Sequence, residues 1–282
     1  MVQQHRRKGG RGAAAVVAAV TMVGVVAGTA GCSGSEGAMA DDRPLGDTAA
    51  VLGAADVLVE AGSSRAKTSL VMATGGTRVT IRGEGRYDFR ERLGQLSVVL
   101  PKDPAGADEH LPISELLAPA ALYMKNRGAG VPDDKWVMLD STTLADGNLV
   151  TGGATDPLTA AELLRAAKDV VLIGKVGERE LDGVRVSHFR GVTDIERAAK
   201  LAAPYARGAL AAAARGFADD VVPFDAYLDE AGRLRKVRHQ FSYRNQGRTV
   251  AVASTTLLYG FGVAVGVRLP PKDQIFTGKI TV

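Results

Sequence analysis

The chain has 282 residues, 46% of them hydrophobic and 23% charged, enough apolar material for a substantial core, which excludes a disordered protein. Its formal charge of +4 comes entirely from the four Lys and Arg before Cys32, leaving 31 cations against 31 acids. That balance excludes broad electrostatic binding, so no nucleic-acid partner is expected.

The N-terminus reads as an export signal. His5, Arg6, Arg7, Lys8 and Arg11 form a cationic start, and residues 13–30 then run without a charge, mostly Ala, Val and Gly. The run ends Thr29-Ala30-Gly31-Cys32, small residues directly before the chain's only cysteine. A basic start, an apolar stretch and a small-residue cleavage region make a secretory signal peptide. An uncleaved anchor is the alternative, because the run approaches the roughly 17–25 residues of a spanning helix. Arg6-Arg7 lacks the flanking residues of a twin-arginine signal, so general secretion is expected. The segment resembles the bacterial lipobox, although Thr29 stands where Leu is usual. That resemblance implies a Cys32 thiol alkylated with diacylglycerol, which would explain a cysteine with no partner for a disulfide. The expected organisation is a signal peptide over 1–31, lipidated Cys32 with a flexible tether over 32–47, and one domain over 48–282. The expected location is the outer side of the cell membrane, held by the lipid.

Within the domain, strand patterning dominates. Val79 and Ile81 alternate with Arg78, Thr80 and Arg82; Tyr87 and Phe89 alternate with Arg86, Asp88 and Arg90. Val237, His239, Phe241 and Tyr243 oppose Lys236, Arg238, Gln240 and Ser242. Such alternation places one face of a sheet inward and the other in water. Further strands are expected at 96–100, 122–126, 136–140, 184–189, 222–228 and 249–258, with turns at Gly75-Gly76, Asp182-Gly183 and 229–232. Three helices are expected: 48–61, 156–169 opening on Asp156-Pro157, and 194–218 broken or kinked at Pro204. Many antiparallel strands with few helices define an α+β domain, most economically one strongly curved antiparallel sheet with helices on its concave side.

Five stretches, in order, carry a resemblance: 135–140, the Asp156-Pro157 helix, 177–194, 226–234 and 259–273. Together they resemble the LppX/LprG/LprA lipoproteins of actinobacteria, which share the fold of the lipoprotein carrier LolA. The chain departs from them at Tyr227, where Trp is common, and in the polar insertion 102–110. The resemblance implies a half-barrel whose apolar cavity holds acyl chains of a lipid, glycolipid or lipoprotein. Its expected lining is Val79, Ile81, Tyr87, Phe89, Met124, Met138, Val237 and Phe241, the two methionines being adaptable. Without the resemblance, the same positions would be read as a solid core.

Catalytic chemistry is sparse. His110, His188 and His239 have no Cys partner and no zinc-ligand spacing, so no metal is expected. His188 and His239 both fall on the apolar phase of their strands and are read as interior. No Gly-x-Ser-x-Gly elbow occurs, and Gly260-Phe261-Gly262 leads into Pro270-Pro271 instead of a helix, so no dinucleotide or other cofactor is expected. Asp133-Asp134 and Asp219-Asp220 read as solvated turns. Two functions remain: a membrane-anchored lipid-binding carrier or presenter, and an envelope sensor or interaction module using the same fold. The expected partners are a lipid or glycolipid, the cytoplasmic membrane through Cys32, and an envelope transporter or other envelope protein. Enzymatic activity is not expected.

Overall fold

Period-two alternation produces strands wherever the sequence carries it clearly. The computed structural model describes residues 45–101, 111–127, 130–177, 181, 183–245 and 247–278. The expected signal peptide, Cys32 and the 102–110 insertion lie outside the described residues. The strands in chain order are β1 (Ser63–Thr74), β2 (Thr77–Asp88), β3 (Leu93–Val99), β4 (Ile113–Ala118), β5 (Ala121–Lys125), β6 (Val137–Asp140), β7 (Ala167–Gly177), β8 (Arg185–Asp194), β9 (Val221–Asp229), β10 (Leu234–Asn245) and β11 (Arg248–Tyr259). They form one unclosed, curved sheet in the order β6-β5-β4-β3-β2-β1-β11-β10-β9-β8-β7, every neighbouring pair antiparallel. Two meanders therefore meet at its centre, where β1 pairs β11 from Arg65↔Tyr259 to Ala73↔Ala251. The β1–β2 hairpin turns on Gly75 and Gly76, whose φ values of 54° and 85° suit a two-residue turn.

Five helices pack on one face: α1 (Leu45–Leu52), α2 (Ala54–Ala61), α3 (Pro157–Glu162), α4 (Ile195–Leu201) and α5 (Pro204–Gly216). Asp156 caps α3 by accepting from Thr159 N, and Asp194 caps α4 by accepting from Arg197 N. The expected 48–61 helix is two helices meeting at Gly53, and the expected 194–218 helix is broken at Pro204. The expected 156–169 helix is shorter. It tightens into a 3₁₀ turn at Leu163–Ala166, and β7 begins at Ala167. Arg165 and Glu162 tie this layer together. The Arg165 guanidinium spans Glu162 and Asp56 of α2, and Glu162 also accepts from Tyr205 Oη at 2.7 Å and Ala203 N at 2.9 Å. Arg43–Val282 thus forms a compact unit with its own core between sheet and helices.

Beyond β11 the chain runs along the other, outer face. Gly262 N donates to Ser63 O, Ser63 Oγ donates to Val263 O, and the Arg86 guanidinium donates to Ala264 O. It ends beside β6, where Ile275 bridges Trp136 in parallel.

Candidate functional site

The trough between sheet and helices is the place where a ligand was expected, and its inner wall is apolar. Ile81, Val98, Met124, Val137, Val237 and Phe241 line it with exposures of 8% or less. Tyr87 packs on Phe89 at 5.2 Å between ring centroids, and Phe217 stacks on Phe241 at 4.4 Å. Val79, on the same face of β2, is half-buried and packs against this cluster. Met138 differs. It is 46% exposed and pairs with Tyr123, whereas its neighbour Val137 faces inward opposite Met124. The phase of β6 is therefore one residue off the expected one, and Val137 takes the inward position expected of Met138.

What fills the trough is a loop. Residues 141–155 form turns without helix or strand, and nine of the ten residues from 146 to 155 are buried. The segment Asp146-Gly147-Asn148-Leu149-Val150-Thr151-Gly152-Gly153-Ala154-Thr155 is built mostly from small side chains. Its backbone is satisfied internally. The Asp146 carboxylate accepts from the backbone N–H of Asn148, Val150 and Thr151, and Asn148 Oδ1 accepts from Gly152 N. The loop crosses the inner face strand by strand. Gly152 sits over Glu115 of β4, Gly153 over Val98 and Ile81, and Ala154 over Gly83. A Cβ on Gly153 would stand 3.0 Å from Val98 Cγ1, and its φ of 91° also favours glycine. The plug is fastened at its far end. Thr155 Oγ1 lies 2.6 Å from Ser254 Oγ of β11, and Tyr87 Oη donates to Asp156 Oδ2 at 2.9 Å. Beside Tyr87 and Asp156 remains a hollow of about 30 Å³, room for about one water.

The sheet carries buried polar groups without protein hydrogen bonds: Ser64 Oγ, Thr68 Oγ1, Thr256 Oγ1, His239 Nε2 and both carboxyl oxygens of Glu115, the last directly beneath Gly152 of the plug. Burial pushes Glu115 up to about 8, with the Arg127 charge opposing, and pushes His239 down to about 4. Both are therefore neutral in the folded protein near pH 6. Burial also raises Asp156 despite the bonds from Thr159 and Tyr87. The sequence reading missed Glu115, because a charged residue in Ile113–Ala118 spoils the apolar signal that would mark an inward position.

His239 is interior, as expected. His188 is also buried, 9% exposed, but on the outer face of β8, stacked on Tyr227 at 4.3 Å between centroids, with Nε2 2.8 Å from Asp225 Oδ1. Asp225 also accepts from Arg190, and the His188 and Arg190 contacts hold its carboxyl below the usual range against burial. Among the described residues no group of three or more His, Cys, Asp or Glu is placed to hold a metal, and no helix is long and apolar enough to cross a membrane. A second hollow, about 690 Å³, opens on the outer face over Val71, Ala73, Ala251 and Ala253, with Arg78 and Arg238 at its sides.

Sheet, helical cover and plugged trough define an α+β half-barrel. No family model matches the chain, and no curated protein matches it. Solved structures do. LprF from Mycobacterium bovis is 10% identical, covering 80% of this chain and 97% of its own, with a TM-score of 0.41. The Mycobacterium tuberculosis lipoprotein LppX is 10% identical, covering 78% of this chain and 99% of its own, with a TM-score of 0.43. A LolA superfamily protein from Nitrosomonas europaea is 11% identical, covering 82% and 97%, with a TM-score of 0.32.

Proposed function

We propose that this chain is an extracytoplasmic lipoprotein, anchored through acylated Cys32, whose domain takes acyl chains of a lipid, glycolipid or lipoprotein into the inner trough. One observation carries the reading: an apolar wall is covered by a small-residue loop instead of by large interlocking side chains. Such a loop gives up little apolar contact when it leaves, and acyl carbons regain about 0.8 kcal/mol per CH₂ removed from water. The helices are tied to one another by Arg165 and Glu162, so helices and plug can withdraw as units while the sheet stays intact. Ile81, Tyr87, Phe89, Met124, Val237 and Phe241 would then line the opened space, with Val79 at its margin. Against a bilayer the CH₂ gain nearly cancels, so the protein works by exchange between apolar environments, and no catalytic group takes part.

Native mass spectrometry of residues 43–282, exported by the natural host and followed by lipid extraction, tests this. Bound species with acyl-chain masses are expected. Protein that is lipid-free from its own envelope would favour the second reading, an interaction module using the outer hollow over Val71 and Ala253. The anchor is tested separately with a labelled fatty-acid analogue. Full-length chain should take up label, Cys32→Ala should not, and equal labelling would refute the anchor.

A further inference from the structure

We propose that β7 is a membrane-docking edge, by which the domain lies against the anionic headgroups of the bilayer that holds its tether. This goes beyond lipid binding in the trough and rests on the anchored reading only for the origin of that tether. The first observation is exposure. Val171, Leu172 and Ile173 are 41%, 41% and 50% exposed, although consecutive strand residues point to opposite faces. The strand is bulged here, so these three are exposed together although Val170 beside them is buried and α1 packs against β7; single exposed aliphatics are ordinary where three in a row on a sheet edge are not.

The second observation is asymmetry. The opposite edge, β6, is covered by the chain's own tail, with Trp136 N donating to Gln274 O and Phe276 N to Trp136 O. Among the described residues β7 has β8 as its only strand neighbour. A second protein strand is a poor occupant, because the register of β7 shifts between Lys168 and Val171 and again between Leu172 and Gly174. Bulges of that kind break the regular row of donors and acceptors that strand addition needs. A lipid surface needs no register.

Charge and chain path point the same way. Lys175 follows the aliphatic triplet and Arg185 pairs opposite Gly177, while Lys168 before the triplet is paired with Asp194 Oδ2 at 3.2 Å; Asp169 is the single acid within β7. Cations beside an apolar edge suit anionic headgroups. Asp47 and Ala50 of α1 line one hollow together with Lys175 and Arg185, so the chain enters the domain beside this edge. Twelve residues separate Cys32 from Leu45, and a chain of that length spans roughly 20 Å, short enough to keep β7 near the membrane.

The test uses residues 43–282 carrying an N-terminal histidine tag, held on phosphatidylcholine vesicles by a nickel-chelating lipid, with or without phosphatidylglycerol. Tag capture makes the result independent of Cys32 acylation, which the fatty-acid label reports by itself. Amide hydrogen exchange over 168–177 should slow severalfold on phosphatidylglycerol vesicles relative to solution. Val171→Ser/Leu172→Ser/Ile173→Ser should abolish that slowing, and Lys175→Glu, which leaves the aliphatics in place, should remove its dependence on phosphatidylglycerol. Unchanged exchange at 168–177 on vesicles would overturn the proposal. So would equal slowing in the triple-serine variant and the parent.

Discussion

Glu115 and His239 are two buried groups on the sheet whose protonation is shifted in opposite directions by burial. Glu115 has an ordinary carboxylate value of 4.5 when unfolded and about 8 when folded, because burial disfavours its charge. A raised folded value means stability is intact below pH 4.5 and is lost as pH rises toward 8. His239 runs the other way: its folded value is depressed from 6.5 to about 4, so its stability is present above 6.5 and lost as pH falls toward 4. Taken together, these two residues place maximal stability in the mildly acid range. Glu115→Gln isolates one half of this. At pH 5 parent and variant should unfold within about 1 kcal/mol of each other, both side chains being neutral. At pH 8 the variant should be the more stable, by at most about 1.4 kcal/mol for each pH unit of the window. Urea unfolding at the two pH values measures it, and parallel losses in both proteins would show that Glu115 is not the group responsible.

At the scale of elements, the plug is the part that moves in the proposed function, and one contact offers a way to hold it. Thr155 Oγ1 and Ser254 Oγ are 2.6 Å apart, so cysteines at both positions fall within reach of a disulfide. Residues 43–282 contain no cysteine of their own, so no other pairing competes. Oxidised Thr155→Cys/Ser254→Cys should load no lipid and gain about 2–4 kcal/mol of stability, with loading restored on reduction. Equal loading in the oxidised and reduced forms would mean that lipid enters without the plug leaving. Neither the plug nor three of the strands was legible in the sequence, for identifiable reasons. β1 turns Ser64, Ala66 and Thr68 inward beside Leu70, so small or polar residues face polar ones until the middle of the strand and no apolar phase stands out. β4 carries Glu115 inward, and β7 buries only Val170 among exposed and half-buried residues, so neither shows one apolar phase. The reverse held for β2. Gly83 and Gly85 split one strand into two apparent ones, yet a Cβ on Gly85 would collide with the Gln95 carbonyl of β3. The strongly alternating 236–243 run and the Gly75-Gly76 turn were readable because each has a clear two-phase or turn chemistry. The inward face of β2 was read correctly through Val79, Ile81 and Tyr87, while Met138 failed because β6 is short and half-exposed.

The domain is built on an open sheet, and an open sheet must protect two edges or use them. The chain treats them differently. At β6 the tail completes the sheet by adding Ile275 beside Trp136, and Lys135 Nζ donates to Asp273 O at 2.9 Å, so three hydrogen bonds hold the closing segment. The tail reaches that edge only by crossing the outer face, where it bonds to Ser63 and Arg86. It therefore straps β1, at the junction of the two meanders, and its neighbour β2 to the far rim of the sheet. Truncation after Arg268 separates the two contributions, since it keeps the crossing over β1 and β2 and removes the edge cover. Two backbone hydrogen bonds to Trp136 vanish, each with a net worth of about 0.5–1.5 kcal/mol, so stability should fall by about 1–3 kcal/mol. The bared edge offers unpaired N–H and C=O groups next to exposed Met138, so self-association should rise with concentration. Trp136 is the chain's only tryptophan, half-buried with Lys125 Nζ 5.9 Å from its ring centroid, and its emission reports the edge without a competing signal. A red shift in dilute solution, reversed as the truncated protein associates, is the expected pattern, followed by fluorescence and light scattering on the same samples. If emission, urea midpoint and mass all match the untruncated domain, the tail is not what protects β6.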